Sequence, residues 1–391
     1  MSLADFGAGP GPSGQRLAGG TGPLLSGGRL PGPPEAGIAL VTWANEEPTG
    51  GNVYNARLAA ALRNGGRPVE IARVPGSWPE PERGARERLA DVLSGRPVSL
   101  VDGIVASHAP EAVESATGVG RVVVILVHLP LGVDRPDPVE ARALGVATAV
   151  ICTSYHGAEL ISRHYGIRAN VALPGADEAP RAAGSEPPRM LSVASLTPIK
   201  DQLTLVRALA MINDLDWSAA LVGSTTADPG YADEVRTLIN SVGLAERVTI
   251  TGTLTGAPLE EQWAAADLLL LVSRTETYGL VVTEAIAHGI PAIVGAGTGA
   301  EEALHGADGT SGVLGADEPV GTSHIAGFTS LPGCMVPVAD PPALSAALRD
   351  WLIDANLRAC WRAAALQRRA SLPTWAGTAA AVEQCLVVLG S

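Results

Sequence analysis

The stretch that most constrains this chain is Leu268–Val294. Four leucines and Val272 make an unbroken apolar run, which fits a parallel strand buried on both faces. A polar turn follows, Ser273-Arg274-Thr275-Glu276-Thr277-Tyr278-Gly279. The spacing then predicts a helix over Leu280–His288, ended by Gly289 in a left-handed C′ position and by Pro291. Pro291–Val294 reads as the next buried strand. A strand-loop-helix-strand unit of this kind commits the region to a parallel α/β sheet.

The same unit offers chemistry. A helix start presents unpaired N–H groups and a partial positive charge, and Gly279 lets a ligand approach the backbone closely. A phosphate fits the amides of Gly279, Leu280 and Val281. Glu284, further along the helix, can accept hydrogen bonds from ribose hydroxyls, and Glu276 lies in the loop beside it. In isolation the two glutamates would read as solvated residues of an ordinary buried αβ unit.

The alternation extends over most of the chain. Strands are expected at Gly37–Trp43, Pro68–Val74, Val98–Val105, Arg121–Val127, Ala147–Cys152 and Val171–Leu173, with helices between them. The pattern restarts after an Ala/Pro/Glu-rich linker, with strands at Arg189–Ala194, Trp217–Val222, Arg247–Thr251, the central unit and Cys334–Val338. The expected organisation is a leader over 1–35, a first Rossmann-like domain over 36–176, a second over 177–372, and a helix within 373–391 that packs back on the first. The leader holds ten glycines and six prolines with little apolar pattern, so it is expected to be flexible. Gly309–Ala316 and Thr322–Leu331 look like an insertion.

Several residues at strand ends stand out, because ligands of doubly wound sheets gather at carboxyl edges. Gly50-Gly51, in the turn after the first strand, suits a sugar or anion against the backbone, or a turn needing positive φ. His128 ends the fourth strand, and His108 is a weaker candidate of the same kind. Lys200, the only lysine of the chain, stands at a strand-to-helix turn begun by Ser195. Asp214-Leu215-Asp216 precedes a strand and reads as a solvated turn, with no metal expected. The arginines 358, 362, 368 and 369 are spread around an amphipathic helix, which suggests a solvated face.

Glu276 and Glu284, eight apart within E-T-Y-G-L-V-V-T-E-A, resemble the donor-site signature of retaining GT-B glycosyltransferases, family 4 in particular. Leu173-Pro174-Gly175-Ala176-Asp177 is similar to that family's P-G-V-D crossing between domains. Lys200 matches the lysine of its G-R-L-x-x-x-K motif, whereas Ser195 stands where the family carries arginine, with Arg274 as a substitute cation. The resemblance implies two Rossmann-like domains facing across a cleft, with a nucleotide-sugar donor on the second and a small-molecule acceptor on the first. It implies Glu284 on ribose, Lys200 on the diphosphate, Glu276 and His128 on the sugar, and Gly50-Gly51 facing the cleft. The loop from Gly252 and Thr253 would cover the base, with Thr277 and Tyr278 beside the donor. Catalysis would fall to Glu276, His128 and Lys200, by a front-face displacement that needs neither a protein nucleophile nor a cofactor. The segments 101–110, 127–132 and 351–358 resemble actinobacterial small-molecule transferases, some of which act in antibiotic pathways on thiols. A sugar phosphorylase, an epimerase or a non-catalytic sugar-nucleotide binder would share the cleft.

Composition narrows the partners. A formal net charge of −13 argues against nucleic acid and anionic membranes, so an anionic substrate needs local positive features. No apolar run approaches a spanning helix, and no signal-peptide pattern is present. Four scattered cysteines fit a reduced, cytoplasmic protein. A homo-oligomer is left open.

Overall fold

The computed structural model describes residues 37–44, 49–133, 135–306 and 331–390. The expected leader and, apart from Leu331, the 309–331 segment lie outside the described residues.

The first lobe runs β1 (Ile38–Trp43), α1 (Gly50–Asn64), β2 (Val69–Val74), α2 (Arg83–Ser94), β3 (Val98–Asp102) and α3 (Gly103–Ser107). It continues through α4 (Pro110–Gly118), β4 (Val122–Val127), α5 (Pro138–Val146), β5 (Ala149–Cys152), α6 (Tyr155–Tyr165) and β6 (Asn170–Val171). Its strands form one parallel sheet in the order β2-β1-β3-β4-β5-β6.

The second lobe begins with β7 (Arg189–Val193), α7 (Gln202–Ala210), β8 (Ser218–Val222), α8 (Pro229–Ser241), β9 (Val248–Gly252) and α9 (Ala257–Ala265). Then come β10 (Leu268–Leu271), α10 (Leu280–Ala287), β11 (Ala292–Gly295), α11 (Ala300–His305), β12 (Gly333–Val336), α12 (Pro341–Ile353) and α13 (Ala355–Arg369). The sheet is again parallel, ordered β12-β11-β10-β7-β8-β9. The last helix, α14 (Trp375–Gly390), follows.

Alternation along β10 explains its leucine run. Leu268, Leu270 and Val272 enter one core and Leu269 and Leu271 the other, so no position on this central strand faces water. Each such leucine stabilises the fold by about 1.5–3 kcal/mol. α10 ends as its sequence dictates, with His288 as cap and Gly289 at φ 75°.

Two chain crossings lie side by side. The Ala176 amide donates to the Pro373 carbonyl at 2.9 Å, and the Thr378 hydroxyl to the Leu173 carbonyl at 2.7 Å. A Cβ on Gly175 would stand 2.1 Å from the Trp375 nitrogen, so only glycine allows this approach. Beyond the crossing, Ala379, Val382, Cys385 and Leu386 of α14 share a core with Tyr54, Leu58 and Leu62 of α1.

Four expectations need correction. β3 stops at Asp102 rather than Val105, because the Asp102 carboxylate accepts the Ile104 amide at 3.0 Å and caps α3. His108 is then the cap of that short helix, its Nδ1 2.8 Å from the Ile104 carbonyl oxygen. Gly50 and Gly51 are the first residues of α1, capped by Thr49, and neither has positive φ. The α13 arginines are not a solvated face: Arg369 and Arg362 donate to the Ala179 and Ala182 carbonyls, and Arg358 to that of Trp351 at 3.0 Å. The linker carbonyls have no strand partner, so the arginines supply one. The Asp214 turn is solvated as expected, paired with Arg349 at 2.6 Å.

Candidate functional site

In each sheet the strand order reverses at one point, between β1 and β3 in the first and between β7 and β10 in the second. The crevice beyond the carboxyl ends of such strands is where doubly wound sheets bind ligands. Around the carboxyl ends of β1, β3 and β4 stand Gly50 and Gly51 at the start of α1, Asp102 at the end of β3, and His128 just after β4. The loops after β7 and β10 carry Ser195, Lys200, Arg274, Glu276, Thr277 and Gly279.

These loops meet. The Thr277 hydroxyl donates to the His128 carbonyl at 2.6 Å, joining the second lobe's loop to the first lobe's strand end. A Cβ on Gly51 would lie 3.2 Å from the His128 ring, and one on Gly50 3.5 Å from Leu280. The starts of α1 and α10 therefore oppose each other, and the glycines matter through close approach rather than through φ. A second bridge was not anticipated from sequence. Glu302 of α11 accepts the amides of Tyr155 and His156 at 3.1 Å each, capping α6 from the other lobe. Gly295, Gly297 and Gly299 precede α11 closely, and its six residues are too few to show a helical period.

On the second lobe, Lys200 and Glu276 form an ion pair at 2.6 Å, with side chains 27% and 14% exposed. The Arg274 amide donates to the Ile199 carbonyl at 2.8 Å, which sets the two loops edge to edge. Its guanidinium is engaged with Asp201 at 2.9 Å, and that carboxylate also caps α7. The Glu276 carbonyl accepts the Gly299 amide at 2.7 Å, and a Cβ on Gly299 would sit 1.8 Å from the Thr277 oxygen. Gly279, at φ 81°, opens α10 with no side-chain cap. The Leu280 and Val281 amides have no hydrogen-bond partner among the described residues, as the first turn of an uncapped helix requires.

Glu284 lies one turn further on. Burial pushes its carboxyl up to about 7, Asp177 adds to the shift, and Arg57 opposes it. Arg57 pairs with Asp177, which places α1 and the domain crossing beside this carboxyl. Tyr278 does not line the crevice: its side chain is 4% exposed in the apolar core, leaving only its backbone for a ligand. Ser195 accepts Gln202 on its carbonyl at 3.0 Å. Gly252 ends the edge strand β9 at φ 75°, and Thr253 is exposed. Both lie on the carboxyl side of the sheet.

His128 is held by residues that sequence did not single out. Its Nε2 is 3.0 Å from the Asn55 oxygen, whose amide nitrogen donates to Asp102 at 2.9 Å. Burial lowers the imidazole pKa from its ordinary value, with Asp102 opposing. The available signal was Asn55, a polar residue on the apolar stripe of α1.

Residues 174–368 match the family model of glycosyl transferases group 1. The second lobe is thus similar to a glycosyl transferases group 1 domain. The chain is 33% identical over 204 residues to the D-inositol 3-phosphate glycosyltransferase of Mycobacterium sp. (strain JLS), covering 46% of this chain and 45% of that one. It is 35% identical over 126 residues to the GDP-mannose-dependent alpha-(1-6)-phosphatidylinositol monomannoside mannosyltransferase of Mycobacterium tuberculosis (strain CDC 1551 / Oshkosh), covering 30% and 32%. The chain spans less than half the length of these relatives. Among solved structures it is similar to Anabaena Alr3699/HepE in complex with UDP and glucose, with a TM-score of 0.68, 18% identity, and coverage of 90% of this chain and 99% of that one. It is also similar to the sucrose-phosphate synthase of Thermosynechococcus elongatus, with a TM-score of 0.70, 20% identity, and coverage of 90% and 98%. These likenesses establish the expected GT-B fold of two Rossmann-like lobes. No helix among the described residues is long and apolar enough to cross a membrane.

Proposed function

We propose that the protein is a retaining glycosyltransferase that moves a sugar from a nucleoside diphosphate to a small acceptor. The observation that carries this reading is the uncapped start of α10 beside the Lys200–Glu276 pair, opposite Gly51 and His128. A pyrophosphate would accept hydrogen bonds from the Gly279, Leu280 and Val281 amides and draw Lys200 away from Glu276. Both features stabilise the negative charge that grows on the leaving phosphate. Glu284 takes the ribose hydroxyls. Glu276, released from the lysine, accepts from the sugar hydroxyls, while His128 meets the sugar from the first lobe. The sugar's bond to the phosphate oxygen breaks as the acceptor atom bonds to the same face of the anomeric carbon. The departing phosphate takes the acceptor's proton, so no protein nucleophile is needed.

Lys200 and the helix start supply the positive charge, so transfer proceeds without a metal ion. The acceptor is a small hydroxyl or thiol compound, and the resemblance to small-molecule transferases favours secondary metabolism. A thermal-shift panel of UDP, GDP, ADP and dTDP tests the reading, with Glu284→Ala as control. One nucleotide should raise Tm in the wild type and not in the variant. The matching sugar nucleotides should then turn over in EDTA. No shift with any nucleotide would sink the proposal.

A further inference from the structure

The hydrogen bonds around His128 run in one direction. Asp102 is 3% exposed, and its carboxylate accepts the Ile104 amide at 3.0 Å and the Asn55 side chain at 2.9 Å. Asn55, 4% exposed, must therefore turn its NH2 toward Asp102 and its oxygen toward the histidine. That oxygen stands 3.0 Å from His128 Nε2. A bond forms there only if Nε2 carries a hydrogen, because a bare nitrogen would set lone pair against lone pair. Flipping the Asn55 amide would press its oxygen on the carboxylate instead.

The ring cannot rotate away from this arrangement. Tyr54 packs edge-on to it at 5.2 Å and 72°, and is itself anchored by a 2.8 Å bond to the Ala172 carbonyl. The Gly51 backbone covers the ring, and Thr277 holds the His128 carbonyl. Burial disfavours the imidazolium, so the neutral ring has one proton to place. Nδ1 has no hydrogen-bond partner among the described residues.

We propose that Asn55 and Asp102 are positioning residues that lock His128 as its Nε2–H tautomer. Nδ1, the nitrogen left for a ligand, is then an acceptor that takes a hydrogen bond from a substrate hydroxyl and cannot donate one. The tautomer follows from the residues alone; the hydroxyl partner rests on the glycosyltransferase reading.

Long-range proton–nitrogen spectra of the full chain, labelled with 15N-histidine, read this directly. His128 is assigned by its loss in His128→Phe. The wild type should show a pyrrole-like Nε2 and a pyridine-like Nδ1. In Asp102→Asn a second carboxamide lets Asn55 turn over, and the two nitrogen shifts should move toward each other or exchange. A wild type with its proton on Nδ1, or a charged ring at pH 7, overturns the proposal even if the variant fails to fold. So does a folded Asp102→Asn whose tautomer is unchanged. An Nε2–H wild type that binds no nucleotide sugar leaves the lock standing and removes the transferase reading.

Discussion

The two walls of the crevice are built on opposite principles. On the first lobe, Asp102, Asn55 and His128 satisfy one another behind the surface, and the histidine's Nδ1 is left without a partner among the described residues. On the second, Lys200 and Glu276 hold only each other, and α10 starts without the side-chain cap that Thr49, Asp137 and Ser154 give α1, α5 and α6. A closed buried network loses stability when any member is removed. An ion pair that keeps part of both side chains in water is more readily exchanged than a closed buried network. One wall is made to keep a shape and the other to change partners, and on the proposed function an arriving diphosphate would supply both the missing cap and a new counterion for Lys200.

Substitutions should separate the walls by what they cost. Glu276→Ala carries the largest expected effect, a fall in transfer rate on the order of 10²–10³. Nucleotide affinity by titration should stay within a few-fold, and equal loss of both would contradict its place on the sugar. Asp102→Ala should lower unfolding free energy by about 3 kcal/mol in urea, since it strands the Asn55 and Ile104 donors. Lys200→Ala should change stability by at most about 1 kcal/mol. It should weaken UDP or GDP binding by roughly 1.5–3 kcal/mol while leaving the nucleoside unaffected. A Lys200→Ala protein as destabilised as Asp102→Ala would erase the contrast between the walls.

What sequence revealed follows the same division. The second lobe's β10–α10–β11 unit was legible nearly residue by residue, because short-range signals specify it: a continuous apolar run, Gly279, Gly289 and Pro291. The first lobe's network was not, since Asn55, Asp102 and His128 are joined only by tertiary packing. Ile104, Val105 and Ala106 resume the apolar pattern of β3 just past Asp102-Gly103, so period alone could not show that Asp102 turns the chain into α3. Tyr278 lay in a polar turn and was read with it, although its ring is large enough to reach the core beneath. Glu302 was hidden because its partners are backbone amides of the other lobe, about which its own neighbours in sequence say nothing.

The smallest expected effect tests whether Glu284 belongs to the exchangeable wall. Its folded carboxyl titrates at about 7, above its ordinary 4.5, because burial and Asp177 outweigh Arg57. The native state therefore keeps a proton that the unfolded chain has lost between these values, and this group's contribution to stability falls as pH rises through that window. Glu284→Gln, which removes the penalty, should raise Tm relative to wild type at pH 8 and converge with it near pH 4.5. Ribose hydroxyls donating to the carboxylate favour its charged form, so nucleotide binding should run the other way. Wild-type affinity should rise from pH 6 to pH 8 by at most about tenfold, and binding at pH 7 should release a fraction of a proton. Titration calorimetry in two buffers of different ionisation heat measures that proton. Uptake instead of release would place the ribose elsewhere and return Glu284 to the scaffold.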